Sequence, residues 1–128
     1  MKVCILPFGK INLITPQIAE IIINEGITLD KQQVQDYHHV LRSRLEAPFS
    51  ILINKENTYS YTFEAQLELG NINDIAYRAV VAYNHNAEMA TQIIMDLNKK
   101  NNWNIEIFRE RLAALNWLNT HINNRNAV

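Results

Sequence analysis

Residues 49–54 read FSILIN, a short, apolar and β-branched run that is typical of a central β-strand. A second run of this kind, AVVA at residues 79–82, lies inside a strand-like segment from Ile75 to Tyr83. Between them, the segment from Thr62 to Leu69 predicts a short helix, which Gly70 can end in the left-handed conformation. Because strands that alternate with single helices pair in parallel, this region predicts an α/β sheet.

Three strand-like runs with turn signals between them precede this region: Lys2–Leu6, Ile11–Thr15 and Ile18–Asn24. Short connections between successive strands favour antiparallel pairing, so we predict an opening antiparallel meander. Residues 21–23 are all isoleucine, and a continuous apolar run indicates a strand that is covered on both faces. The meander should therefore form one side of the sheet that contains residues 49–53.

A helix is predicted from Asp30 to Leu45, because apolar residues recur at helical spacing at positions 34, 37, 41 and 45. Asp30 is the predicted N-cap, and Gln33 can complete a capping box. His38 falls on the face that we predict to point away. Since neighbouring helical positions point about 100° apart, His38 and His39 cannot grip one metal ion, and we interpret both as surface residues.

The C-terminal part predicts a third helix, an edge strand and a last helix. Asn84 or Asn86 caps the third helix, and its predicted inward stripe comprises Ala90, Ile93, Ile94 and Leu97. Polar and apolar residues alternate at positions 103–108, as in a half-buried edge strand. The last helix runs from about Glu110 to Ile122, with Trp117 beside its apolar face. The whole order predicts a mixed sheet of six strands, with residues 49–53 near its centre.

The composition excludes several classes of protein. With 128 residues, of which 48% are hydrophobic and 20% charged, we expect a single domain spanning residues 1–128 that folds alone or as a small oligomer such as a homodimer. A net charge of −1 offers no basic surface to nucleic acid. No apolar run approaches the roughly 20 residues that span a membrane, and one cysteine, Cys4, fits a reducing compartment. We therefore expect a cytoplasmic protein.

The sequence shows no arrangement of residues that would carry catalysis. No base accompanies Cys4, the carboxylates form no pair that implies acid–base chemistry, and the three glycines are isolated, so no glycine-rich phosphate loop is present. We predict a non-enzymatic protein with no catalytic residues, no metal site and no cofactor.

The segment that joins the central strand to the short helix is the candidate site. Ser60 and Thr62 lie at the predicted start of the helix, where free N–H groups suit either a helix cap or a bound phosphate. Tyr59, Tyr61 and Phe63 alternate along the same stretch. These aromatic residues either line a ligand pocket or partner surface, or place Phe63 in the core and one tyrosine in solvent.

The order of elements and the C-terminal half resemble the STAS-like (SpoIIAA-like) domains, especially their stand-alone bacterial versions. The residues that carry the resemblance are the strand at 79–82, the helix at 86–98 and the ending IFR at 107–109 followed by AALNWL at 113–118. The resemblance in architecture covers nearly the whole chain. It implies a mixed α/β fold and the role of a regulatory or protein-interaction module.

In phosphorylatable members of that family, an acidic residue ends the strand before the second helix, and a serine at the start of the helix accepts phosphate. The resemblance therefore makes Ser60 the first candidate phosphoacceptor and Thr62 the second. Asn54 stands where the family's aspartate is expected, and the Asp-Ser-Ser-Gly signature is absent from this segment.

Two functions from different classes follow from these observations. The first is a non-enzymatic interaction module that docks a protein partner through the loop Asn54–Thr62 and the helix after it. The second is a carrier of a small apolar molecule or lipid in a pocket between the helices and the sheet.

Overall fold

The computed structural model describes residues 2–126. The strands in this range are β1 (Lys2–Leu6), β2 (Gly9–Thr15), β3 (Ile18–Ile23), β4 (Thr28–Leu29), β5 (Phe49–Asn54), β6 (Ser60–Tyr61), β7 (Ile75–Val81) and β8 (Ile105–Phe108). The helices are α1 (Lys31–Arg44), α2 (Phe63–Glu68), α3 (His85–Leu97) and α4 (Arg111–Asn126), with a 3₁₀ turn at Lys99–Asn101. The predicted elements are therefore present, and most of their boundaries agree with the predicted ones within two residues.

Six strands form one mixed sheet in the order β1-β2-β3-β5-β7-β8. The first three are antiparallel, and β3, β5, β7 and β8 run parallel to one another. The meander thus forms one side of the sheet, and β5 lies inside it between β3 and β7. This arrangement confirms the predicted mixed α/β fold with a central strand at residues 49–53.

Helices cover both faces of the sheet, because the parallel strands carry apolar side chains on both sides. Alternate residues of β5 show the division: Phe49 and Ile51 pack with α1 and α2, whereas Leu52 packs with Ala114 and Leu118 of α4. All six residues of β3 are buried, as its isoleucine run predicted. The core therefore consists of two apolar layers separated by the sheet.

The start of α1 agrees with the prediction in detail. The backbone N–H of Gln33 donates to the Asp30 carboxylate at 2.8 Å, and the Asp30 N–H donates to the Gln33 side chain at 2.9 Å. This reciprocal capping box satisfies two N–H groups that the first turn of a helix leaves unpaired.

Three local predictions were wrong. Gly70 does not adopt a positive φ; the close approach of the Asn98 and Asn101 side chains leaves no room for a Cβ there. His38 is buried, with 3% of its surface exposed, because it lies on the same face of α1 as Val34 and Leu41. In α3, two of the four expected inward residues, Ala90 and Ile93, are exposed, whereas Ile94 packs against the core as expected and Thr91 is buried.

Candidate functional site

The loop Asn54–Thr62 contains a short strand that its sequence does not predict. Ser60 and Tyr61 form β6, which pairs in parallel with β4 in a separate two-stranded sheet. The Ser60 N–H donates to the carbonyl of Ile27 at 3.0 Å, and the Thr62 N–H donates to the carbonyl of Leu29 at 2.9 Å. The loop is thereby tied to the segment before α1.

Ser60 and Thr62 have different local roles. Thr62 is the N-cap of α2, and its hydroxyl accepts a hydrogen bond from the Ala65 N–H at 3.1 Å. Ser60 lies in β6 with its side chain exposed, and its Oγ is 3.2 Å from the Thr28 hydroxyl. Ser60 is therefore accessible from solvent but does not cap the helix, contrary to the predicted position.

Of the three alternating aromatic residues, the two tyrosines are packed inside and the phenylalanine is exposed, which is the reverse of the expected core arrangement. Tyr59 and Tyr61 pack against the core with their ring centroids 5.6 Å apart, edge to face. Burial raises the pKa of both hydroxyls, so both remain neutral. Phe63 is 59% exposed. The expectation of a buried Phe63 with one exposed tyrosine was thus wrong.

A cavity of about 460 Å³ lies between the loop and the beginning of α3. Lys55 and Tyr59 line it from the loop, and Tyr83, Asn84 and Ala90 line it from the other side. The Lys55 Nζ lies 5.5 Å from the centre of the Tyr59 ring, and burial lowers the pKa of Lys55 to about 8. Polar and apolar groups both line this groove, and Glu56 lies on its wall together with Lys55.

Asn54 belongs to a buried polar network on the α4 side of the sheet. Its amide donates to the Glu20 carboxylate at 2.9 Å and its carbonyl accepts from the Tyr83 hydroxyl at 2.9 Å. Arg111, the first residue of α4, donates two hydrogen bonds to the same carboxylate, of 2.9 and 3.0 Å. Asn12 of β2 donates to it as well, at 3.2 Å. The network joins three strands to α4.

Burial by itself would raise the pKa of Glu20, but the hydrogen bonds from Arg111, Asn54 and Asn12 outweigh that effect and lower it. Glu20 is therefore charged at neutral pH although it is only 3% exposed. Every partner is a donor, as an ionised carboxylate requires. This satisfied network has a structural role and holds Asn54 away from the exposed surface of the loop.

Large apolar side chains are exposed on α2, on α3 and just before α3. They are Phe63 and Leu67 of α2, Met89 and Ile93 of α3, and Tyr83, each between 44% and 59% exposed. The helices are neighbours, because the Asn98 amide at the end of α3 donates to the carbonyl of Gln66 at 3.0 Å. We call these five residues the α2–α3 surface.

Among residues 2–126, no helix has the length and apolar character needed to cross a membrane. Within the described part of the chain, no group of three or more His, Cys, Asp or Glu side chains is placed to hold a metal ion.

No family model and no curated protein matches the sequence. The fold is similar to the crystal structure of an uncharacterised protein of the DUF3478 family from Shewanella loihica PV-4, described as having a SpoIIAA-like fold. The two structures share 16% sequence identity with a TM-score of 0.54, over 79% of this chain and 81% of the other. The chain thus has a SpoIIAA-like fold, as the resemblance implied.

Proposed function

We propose that this SpoIIAA-like domain is a non-enzymatic protein-interaction module and that it docks a protein partner through the α2–α3 surface and the loop Asn54–Thr62. The observation that carries the proposal is the concentration of exposed apolar side chains on neighbouring elements. Of the eight large hydrophobic residues that are exposed in the described structure, five belong to the α2–α3 surface. Exposed apolar side chains mark an interaction site where they form a continuous patch, and the pairs Phe63–Leu67 and Met89–Ile93 each lie four residues apart on one face of a helix.

The composition of the α2–α3 surface agrees with this role. Phenylalanine, tyrosine and methionine are enriched at protein interfaces, and Phe63, Tyr83 and Met89 supply all three types. The groove of about 460 Å³ adjoins this surface at Tyr83 and offers polar groups beside it. An apolar centre with a polar rim is the usual anatomy of an interface. We therefore propose a partner that presents an apolar side-chain cluster, with hydrogen-bonding groups that meet the loop.

The interior is less suited to the alternative of a lipid or small-molecule carrier. The cavity between the sheet and the helices, lined by Ile53, Val80 and Ile94 among others, has a volume of about 30 Å³. A ligand pocket usually measures about 300 to 1,000 Å³, and 30 Å³ is roughly the volume of one water molecule. The packing therefore favours the interaction module.

The proposal can be tested by capture followed by reconstitution. Tagged protein is used to recover partners from the source organism, and a recovered protein is then purified and titrated against the domain. The double variant Phe63→Asp/Ile93→Asp should weaken the measured affinity by at least tenfold, because it places charges in the apolar centre of the surface.

Leu112 provides a matched control, because it is 65% exposed but lies on α4, on the other face of the sheet. Leu112→Asp should bind like the wild type. A partner whose affinity is unchanged by Phe63→Asp/Ile93→Asp, or is reduced equally by Leu112→Asp, would show that the α2–α3 surface is not the docking site.

A further inference from the structure

Arg78 of β7 is a buried cation that has no carboxylate partner among the described residues. Only 5% of the surface of Arg78 is exposed. In the described structure, the arginines that form ion pairs are Arg42, Arg109 and Arg111. The one hydrogen bond that its guanidinium donates within the described residues goes to the carbonyl of Leu69, at 3.3 Å. A guanidinium carries several more N–H donors, arranged as a planar fork.

The charge of Arg78 persists in this environment. Burial lowers its pKa to about 10, which leaves the group protonated at neutral pH. Trp103 stacks against it, with the guanidinium carbon 4.0 Å from the ring centre. A cation–π contact of this kind stabilises the guanidinium, but by less than the cost of burying an unpaired charge. The stacking therefore offsets only part of the cost.

Arg78 lines a second cavity, of about 170 Å³, near the N-terminal ends of β7 and β8. The other polar side chains on its wall are asparagines, including Asn73, Asn101 and Asn104, and Trp103 forms one side. Amide groups can donate to an anion without adding charge of their own. The volume corresponds to roughly five or six water molecules, which is enough for a small anion but not for a nucleotide.

We propose that this cavity, which we call the Arg78 cavity, binds a small oxyanion, either phosphate or a short carboxylate. The guanidinium fork of Arg78 matches the spacing of two oxygen atoms in either group. Trp103 stacks on the guanidinium, and Asn73 offers a side-chain amide on the wall of the cavity. The Asn101 and Asn104 amides also line the cavity, and each already donates one hydrogen bond, to the Asn98 side chain and to the carbonyl of Ala76. The bound anion supplies the counter-charge that the described residues do not provide.

The chain contains two tryptophans, which makes binding directly measurable. In a Trp117→Phe variant, the remaining tryptophan fluorescence comes from Trp103, beside the guanidinium. We expect phosphate or succinate, added at constant ionic strength with chloride, to change this fluorescence saturably. A response to phosphate only, or to succinate only, would identify which oxyanion is preferred.

Introduced into the Trp117→Phe protein, Arg78→Met should abolish the saturable response, whereas Arg44→Met, which alters an exposed arginine of α1, should leave it unchanged. Where Arg78→Met fails to fold, Asn73→Asp gives the decisive measurement in its place. It puts a carboxylate on the wall of the cavity and should weaken the affinity at least tenfold.

The proposal is overturned if folded Trp117→Phe protein gives no saturable response to either anion. It is also overturned if the response survives unchanged in Arg78→Met, or in Asn73→Asp where the first variant cannot be purified.

Discussion

Ser60 is the residue at which a modification would act most directly on the proposed docking. Its side chain is exposed, and it precedes the exposed Phe63 by three residues. A phosphate would add about −1.5 to −2 charges at the edge of the α2–α3 surface, which would disfavour an apolar partner. Because Ser60 is exposed and does not cap α2, the effect on folding stability should be small.

We therefore expect Ser60→Asp to weaken partner binding, and Ser60→Ala to bind like the wild type. Both variants should unfold within about 0.5 kcal/mol of the wild type, as exposed substitutions usually do. Phosphosite mapping by intact mass and peptide mass spectrometry of protein from the native host tests the modification itself. Equal binding by all three forms, with no phosphate found at Ser60, would rule out this switch.

Trp117 tests the aromatic cluster that attaches α4 to the sheet. It is half-buried, and its ring lies 5.7 Å from the rings of both Tyr77 and Phe108, centroid to centroid. Trp117→Ala should therefore lower the free energy of unfolding by about 2 kcal/mol, less than the 3–5 kcal/mol typical of a fully buried tryptophan. Urea denaturation measures this, with exposed Leu112→Ala as the control. An unchanged midpoint would mean that the cluster contributes nothing to stability.

The residues that sequence reasoning misplaced are mostly polar ones whose partners are distant in the chain. Glu20 interrupts an otherwise apolar strand, which signals that it needs a partner, but Arg111 lies 91 positions away and nothing local identifies it. The burial of His38 could have been predicted from the sequence, because His38 follows Val34 by four residues on the apolar face of α1. The sequence does not predict that Arg78 is buried, because tertiary contacts decide whether a charged side chain in a strand is buried or exposed.

Among the four helices, α3 buries the fewest residues in the described part of the chain. Its buried residue is Thr91, whereas α1 buries Val34, Tyr37, His38 and Leu41. Local opening costs less where fewer apolar side chains are buried. In native-state hydrogen exchange, amides in the middle of α3 should therefore exchange faster than those in the middle of α1. Equal protection of the two helices would show that α3 opens only when the whole domain unfolds.

The elements themselves were largely predictable because each has a local cause. Three kinds of local pattern predict them: the spacing of apolar residues, which is two in strands and nearly four in helices, the capping box at Asp30, and the continuous apolar run at residues 49–53. The pair β4–β6 was not predictable, because two-residue strands carry no period and their pairing joins residues 32 positions apart. The inward face of α3 was also hard to predict. Its apolar residues are spread around more of the helix than the part that packs against the rest of the domain, so the helical period alone does not identify the buried side.

At the level of the whole molecule, the two faces of the sheet respond differently to acid. On the α1 face, burial first, and then the nearby charges of Arg78 and Arg42, lower the pKa of His38 to about 4. On the α4 face, Glu20 is held as a carboxylate with a lowered pKa. Both groups destabilise the fold on acidification, but in different pH ranges, because their unfolded values differ.

The unfolded chain protonates His38 near pH 6.5, while the folded protein keeps it neutral until about pH 4. The unfolded state therefore binds more protons in this window, and the free energy of unfolding should fall by about 3 kcal/mol between pH 7 and pH 4. The loss from Glu20 begins only below its ordinary value of 4.5. Between pH 7 and pH 5, His38 should therefore cause more of the change than Glu20.

Urea denaturation at pH 7 and pH 5 of wild type, His38→Phe and His39→Phe separates these contributions. His38→Phe removes the titrating group, and also a buried Nε2 atom that has no hydrogen-bond partner among residues 2–122, so the variant's stability should change much less between the two pH values. His39 is the adjacent, exposed histidine, and His39→Phe should lose as much stability as the wild type. If all three proteins lost stability equally, the pKa of His38 would be the same in the folded and unfolded chains. Groups other than His38 would then cause the loss of stability in acid.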